Sequence, residues 1–402
     1  MKSETKIPFF LMWKYLIRSN KWTLSLIIFF IAIAFINMIF VTSLFNGIIE
    51  GFNEQIIDTS TGHILVTPAH GEDVIKNAPN ILAKIESIAG IEAASAEVIV
   101  PGSIQYGNTK GSWQILAIDP ERERTVTNVA AKMIEGNYLD AGDAGGIIIG
   151  SSIADSDAAE GAANPFAFSG INVGDTVTVL FGSSGYELTV RGIFKTKFID
   201  TDDKAFITLD ALKAMNPLYD NEATKIIVRA EKTGSEAELI SSLKANGIKQ
   251  NVYSWTEAST LMESISDSFL GINVILSIVG VLIAAITVFI VIYIDISSKR
   301  KQIGILRAIG IKPYLIQAMY VILTAVYSVA GVIIGSAIFF GAIIPYFNAH
   351  PFVLPIADAT LMVNPGDFIA RLETLIWVAI GAGLIPAIHI TRIKLLDAIW
   401  GR

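Results

Sequence analysis

The 402-residue chain is 52% hydrophobic and only 17% charged, with a mean hydropathy of +0.55, whereas soluble globular chains carry about 25% charged residues. A net charge of −7 and a pI near 5.3 argue against a nucleic-acid binder, which needs a basic footprint. The absence of cysteine excludes disulfides, thiolate metal sites, a cysteine nucleophile and lipoprotein-type acylation.

From the N-terminus, residues 1–21 place Phe9, Phe10, Trp13, Leu16 and Ile17 on one helical face beside Lys14 and Arg18. That pattern predicts a cytoplasmic amphipathic elbow helix in the membrane interface. Residues 22–49 carry no charge, and their apolar part, 22–45, exceeds the roughly 20 helical residues that cross a ~30 Å hydrocarbon core. It is too long for the apolar region of a signal peptide, about 7–15 residues, and predicts an uncleaved first transmembrane helix. Asn37, the strongly polar side chain deep in this span, predicts a hydrogen bond between helices.

Residues 46–268 change character. They hold 16 Lys+Arg against 31 Asp+Glu, a net charge of −15, while the rest of the chain is net +8. β-Rich runs at 63–67, 114–118, 176–181, 187–194 and 225–230 read as strands, and 80–89, 210–215 and 235–246 as helices. The result is an α+β domain, expected in two subdomains, whose ~220 residues need an apolar core of their own. Residues 154–170, small and acidic, read either as a disordered insertion or as a hook for a soluble partner anchored by Pro165, Phe166 and Phe168. At the domain's ends, Ile48, Ile49, Phe52, Ile56 and Ile57 share one helical face and Leu261, Met262, Ile265 and Phe269 another. These predict two stalk helices that continue the flanking spans and pack on each other.

The uncharged run 268–294 supplies a second transmembrane helix at 269–294. Residues 295–312 are basic and predict a short cytoplasmic helix stopped near Gly310, with Ile303, Leu306 and Ile309 on one side. It either rests on lipid headgroups or docks a cytoplasmic protein. A third span follows at 313–344, then a loop at 345–373, a fourth span at 374–391 and a tail at 392–402. Lysine and arginine collect before the first span, between the second and third, and after the fourth, which predicts cytoplasmic termini and an extracytoplasmic 46–268.

Several chemistries are missing. No phosphate-binding loop, H-E-x-x-H zinc motif or G-x-S-x-G nucleophile elbow occurs. The four histidines form no ligand cluster, so no resident metal is expected. No ionisable residue lies deep in a predicted span, against the pattern of an ion-coupled carrier. Gly331-x-x-x-Gly335 predicts close helix packing in the third span.

Taken together, these segments resemble one family. Lys301–Gly310, reading KQIGILRAIG, is similar to the coupling helix of type VII (mechanotransmission) ABC transporter permeases of the MacB, Lol and FtsX kind, with Gln302 in place of the usual acid. Ile385-Pro386-Ala387 with Arg392 and Leu396-Asp397-Ala398-Ile399 is similar to the family's closing pattern, with Leu395 where its proline would be. Residues 117–120, 134–138, 147–150 and 173–175 resemble landmarks of the MacB-like periplasmic core domain, and Ser43–Gly47 followed by Gly62-His63 looks like the Lol permeases' S-V-M-N-G…H pattern.

The resemblance implies an α-helical membrane protein with four transmembrane helices and a large extracytoplasmic α+β domain between the first and second. It would lie in the inner (cytoplasmic) membrane and not be an enzyme. It would hold no cofactor of its own, ATP and Mg belonging to a separate cytoplasmic ABC ATPase subunit. That subunit would engage Arg300, Gln302, Ile303, Gly304, Leu306, Arg307 and Gly310. Further implied partners are membrane lipid, a second permease chain, identical or not, and a periplasmic carrier or adaptor. The implied activity is extraction of lipoproteins from the outer leaflet, through a cleft lined by Leu44, Phe45, Ile48, Phe269 and Ile272. A MacB-like exporter of peptides or amphiphiles and an FtsX-like signalling permease that activates an extracellular hydrolase are the alternatives within the family. A membrane-anchored receptor is the alternative outside it, and three further spans count against it.

Overall fold

Residue by residue, the computed structural model describes positions 6–155, 167–182, 184–216, 219, 221–258, 260–354 and 358–392. Two units emerge: a helical unit of Met1–Ile49, Asp267–Val353 and Asp358–Arg402, and a sheet unit of Glu50–Ser266 with Leu354–Ala357.

The first helix, α1 (Lys6–Arg18), buries Met12 and exposes Phe9, Phe10, Trp13 and Ile17, an amphipathic division suited to an interface. The second, α2 (Lys21–Ile56), does not stop where the apolar run ends but continues unbroken for 36 residues. One further turn, residues 57–61, has π geometry and ends at Gly62. Gly62 adopts φ +62°, and a Cβ there would lie 2.6 Å from the carbonyl oxygen of Val228, so only glycine fits.

The chain then builds a mixed sheet of twelve strands: β1 (Ile64–Thr67), β2 (Ile91–Val100), β3 (Ser103–Tyr106), β4 (Thr109–Gly111), β5 (Gln114–Ile118), β6 (Met133–Gly136), β7 (Gly146–Gly150), β8 (Thr176–Phe181), β9 (Ser184–Phe194), β10 (Lys204–Thr208), β11 (Lys225–Ala230) and β12 (Asn251–Ser254). Their order is β12-β1-β11-β2-β5-β10-β7-β9-β8-β3-β4, with β6 beside β9. Pairings are antiparallel except β5–β10 and β7–β9. The helices are α3 (Ala78–Glu86), α4 (Pro120–Val126), α5 (Ile199–Asp202), α6 (Leu209–Met215), α7 (Glu236–Ala245) and α8 (Trp255–Ala258).

Two main cores lie along the sheet, and β2 contributes to both, so the sheet is continuous from one to the other. Leu82, Ile85, Leu239 and Leu243 from α3 and α7 cover Ile64, Val66, Ile226 and Val228. Elsewhere Ile104, Ile115, Ile147, Val177, Val190 and Ile207 pack with Leu212 of α6.

Past α8 the chain returns through α9 (Thr260–Ser298), α10 (Arg300–Ala308), α11 (Pro313–Ile338), a π turn at 339–343, α12 (Ile344–Ala349) and α13 (Pro365–Arg392). Four of these segments are long and apolar enough to cross a membrane: Lys21–Thr61, Val274–Ser298, Pro313–Ala349 and Pro365–Arg392. The last begins nine residues before the expected start, since Asp367, Arg371 and Glu373 are carried inside the helix. Arg371 donates to Ser277 of α9 at 2.7 Å, a polar pin between the two helices.

In the helical unit, apolar side chains interlock where small residues admit them. A Cβ on Gly331 would meet Ile31 at 2.6 Å, and one on Gly335 would meet the Ala32 carbonyl at 3.1 Å, so the small-residue repeat brings α11 against α2. Asn37 lies on the exposed face of α2, and the interhelical bond predicted for it is not formed among the described residues.

Candidate functional site

The basic segment after α9 forms the short helix α10, and both of its ends have local causes. Gly310 takes φ +95°, its N–H bonds the carbonyl of Arg307, and the N–H of Ile311 bonds that of Leu306. This is the paired-bond helix stop that glycine permits. Pro313, at the first turn of α11, then starts the next span.

The residues of α10 divide between two faces. Ile303 and Gly304 are buried, and Leu306 packs against the core of the helical unit. Arg300 and Arg307 are half-buried, while Gln302 and Gly310 are exposed. Ile309, expected beside Ile303 and Leu306, instead projects outward at 71% exposure, because the helix ends before reaching it. Sequence reading missed Ile305, 49% exposed, which joins Ile309 on the outer face. Between 299 and 312 there are five Lys and Arg and no acid. The surface is thus two apolar side chains in a cationic frame, fixed from behind by Ile303.

A buried acid lies just before this helix. The Tyr15 hydroxyl of α1 reaches both carboxylate oxygens of Asp295 at 3.0 Å, and Asp295 is itself buried. Lys299 lies over the Tyr15 ring, 5.8 Å from its centroid. Within a predominantly cationic stretch this lone acid was the available signal. The elbow helix is thereby tied to the end of α9, one turn from α10.

The S-L-F-N-G segment of α2 has an equally physical basis. Asn46 donates to Asp367 of α13 at 2.8 Å, and the Met362 N–H donates to the Ser43 carbonyl at 3.0 Å. A Cβ on Gly47 would fall 1.6 Å from the carbonyl oxygen of Thr360, so the loop before α13 crosses α2 where glycine leaves room. Of the expected cleft residues, Leu44 packs on the helical core, Phe45 and Ile48 are half-buried, and Ile272 is exposed. The side chain of Phe269 lies outside the described residues.

One expectation for the sheet unit changes. Pro165 and Phe166 of the proposed hook lie outside the described residues. Phe168 is buried, with its ring 4.7 Å from that of Trp113, so it is a core residue and its ring is not available as an anchor. The side chains of Leu261, Met262, Ile265 and Phe269, the expected partners of the first stalk's apolar face, lie outside the described residues. Phe52 and Ile56 pack on Phe198, with the two phenyl rings 6.0 Å apart, and Thr59 hydrogen-bonds Thr201 at 3.1 Å. Asp58 accepts from Arg229 at 3.0 Å and from Asn128 at 3.2 Å. The end of α2 is thus built into the sheet unit.

Among the described residues no group of three or more His, Asp or Glu is placed to hold a metal. Four membrane-length helices, with a mixed-sheet domain between the first and second, define a multi-pass membrane protein. The MacB-like periplasmic core domain matches residues 24–246, more than half of the chain, and the FtsX-like permease C-terminal domain matches 274–395. The chain belongs to the family of MacB/FtsX-type permeases. The ABC transporter permease YtrF of Bacillus subtilis (strain 168) is 26% identical over 232 residues, 53% of this chain and 52% of that protein; the alignment spans about half of the relative's length. Among solved structures, the periplasmic region of MacB from Actinobacillus actinomycetemcomitans is similar at 15% identity and a TM-score of 0.36, covering 54% of this chain and 97% of that one. The extracellular domain of the noncanonical ABC-type transporter YknZ from Gram-positive bacteria gives 14%, 0.34, 48% and 97%.

Proposed function

We propose that this chain is the membrane subunit of an ABC transporter in the cytoplasmic membrane, driven by ATP bound and hydrolysed on a separate subunit. The observation that carries the reading is α10: a helix held by Ile303 and Gly304 that presents Ile305 and Ile309 among cations. Exposed apolar anchors within a charged rim suit a protein partner better than headgroups alone. Positive-inside bias supports an orientation with this surface and both termini in the cytoplasm and the sheet unit outside.

In this account the ATPase grips α10, and its closure moves α9 and, through the Tyr15–Asp295 tie, the elbow helix. The helix α2 ends inside the sheet unit and carries the displacement outward; α9 is the second rod. The spans carry few polar side chains, so a lever is favoured over a hydrophilic pore.

Ile305→Asp should abolish co-purification of the ATPase with the chain while leaving membrane insertion and thermal midpoint unchanged, because the side chain is exposed. Retained ATPase binding would sink the docking role. For the cargo we propose an acylated lipoprotein taken from the outer leaflet, entering beside Phe45, Ile48 and Ile272. A photoreactive residue at Phe45 should capture an acylated protein in native membranes. Capture of a peptide or soluble amphiphile would favour an exporter instead. An extracellular hydrolase as the captured protein would favour a signalling permease.

A further inference from the structure

The sheet unit contains four arginines, and three sit against a carboxylate: Arg122 on Glu86, Arg191 at 2.8 Å from Asp143, and Arg229 at 3.0 Å from Asp58. Arg124 differs. Its Nη2 donates to the Leu139 carbonyl at 2.9 Å, and its nearest carboxylate partner, Asp140, stands 3.8 Å away on a side chain that is 91% exposed. Among the arginines of this acidic region, Arg124 is thus the one whose forked guanidinium has no carboxylate within hydrogen-bond distance.

Arg124 also lines a cavity of about 600 Å³, together with Thr125, Asn128, Ala130, Ala131, Tyr138 and Arg229. That is within the roughly 300–1,000 Å³ range of small-molecule sites. α4 delivers Arg124, and the turn after it delivers the two alanine methyls. The Arg124 guanidinium lies 5.0 Å from the centroid of the Tyr138 ring, which burial holds in place. Arg229 adds little net charge, since Asp58 and Glu92 (3.6 Å) neutralise it and its Nη1 also serves the Val126 carbonyl. Arg124, with only the exposed Asp140 at 3.8 Å, is therefore the least compensated charge of the cavity, and Ala130, Ala131 and the Tyr138 ring supply apolar surface beside the polar Thr125, Thr127 and Asn128.

We propose that this cavity binds a small molecule bearing a carboxylate or phosphate, its anionic group on Arg124 and its apolar part against Ala130, Ala131 and Tyr138. A guanidinium donates to either oxyanion through paired, charge-assisted hydrogen bonds. The site lies wholly within the sheet unit and does not depend on which cargo the permease moves.

Equilibrium dialysis of the full chain in non-ionic detergent at low salt, with labelled inorganic phosphate and labelled benzoate as the probes, tests it. At least one probe should bind saturably, one per chain, and Arg124→Gln should weaken it by about tenfold or more, in line with loss of a charge-assisted bond. Arg191→Gln, which removes an equally exposed but acid-paired arginine, should leave binding unchanged. Ala131→Trp, which fills the cavity and keeps the charge, should also abolish it. Binding of phosphate alone assigns a phosphoryl ligand, and binding of benzoate alone a carboxylate with an apolar flank. No saturable binding of either probe, or equal binding by Arg124→Gln, overturns the proposal.

Discussion

The helical and sheet units hold themselves together by different means. In the helical unit the decisive contacts are close approaches at Gly47, Gly331, Gly335 and Gly383, supplemented by isolated polar pins such as Asn46–Asp367, Tyr15–Asp295 and Arg371–Ser277. Without water to expel between helices, shape and a few hydrogen bonds must serve. The sheet unit relies on buried β-branched cores and charged groups taken deep inside. Glu97 there is 3% exposed and paired to Lys225 at 2.7 Å, with Glu123 buried nearby. The first unit should therefore be most sensitive to added volume, and the second to removed charge.

The largest stability loss is expected in the sheet unit. Lys225→Met strips the partner from a buried carboxylate and should cost about 3–5 kcal/mol. Adding Glu97→Gln should restore much of that loss, read as the midpoint of chemical denaturation. Should the single substitution prove neutral, the buried pair is not what holds this region. In the helical unit, Gly47→Ala should cost roughly 1–3 kcal/mol or more by overpacking against Thr360. Gly341→Ala, where a Cβ meets open space, should change almost nothing. Equal effects at the two glycines would erase the contrast.

Smaller effects should appear with pH in the sheet unit. Burial lowers the pKa of His63, whose Nδ1 accepts from the Ala230 N–H, so protonation opposes the fold. Its contribution is present above the ordinary histidine value near 6.5 and is lost as pH falls. Glu123 behaves oppositely: burial, and then the charge of Glu97, push it up to about 8. The folded state holds that proton, so this contribution is full below the ordinary glutamate range and lost as pH rises through about 8. His63→Gln should flatten the acid limb of thermal stability against pH and Glu123→Gln the alkaline limb. If each variant left its limb intact, other groups would be responsible.

Much of this organisation was legible in the residues. Charge-free runs located four spans, because a hydrocarbon core tolerates no charge over some 20 residues, and KQIGILRAIG located α10. Five strands were readable from β-branched runs. β2 was not: Ile91–Val100 includes Ala93, Ala94, Ser95 and Ala96 at its centre, small residues with no strand signature. They are strand because both faces are covered, a tertiary effect. β10 was obscured by Lys204, a buried lysine whose amine reaches Asp200 at 2.6 Å. Phe168 misled for a related reason. A phenylalanine in a small-residue stretch signals an anchor only if exposed, and nothing local revealed that Trp113 would meet it. Of the proposed docking surface, the segment was apparent but its outer face was not. Whether Ile305 or Leu306 points outward depends on how α10 rolls against the helical core.

The central claim is that an ATPase subunit docks on that outer face. Because the chain has no cysteine, Ile305→Cys provides a unique thiol for a photoreactive label in otherwise intact protein. On illumination in native membranes, the label at 305 should join the chain to a nucleotide-binding subunit, while the same label at Ile286, exposed in the second span, should not. A label at 305 that captures only lipid, or an ATPase captured equally well from 286, would contradict the account.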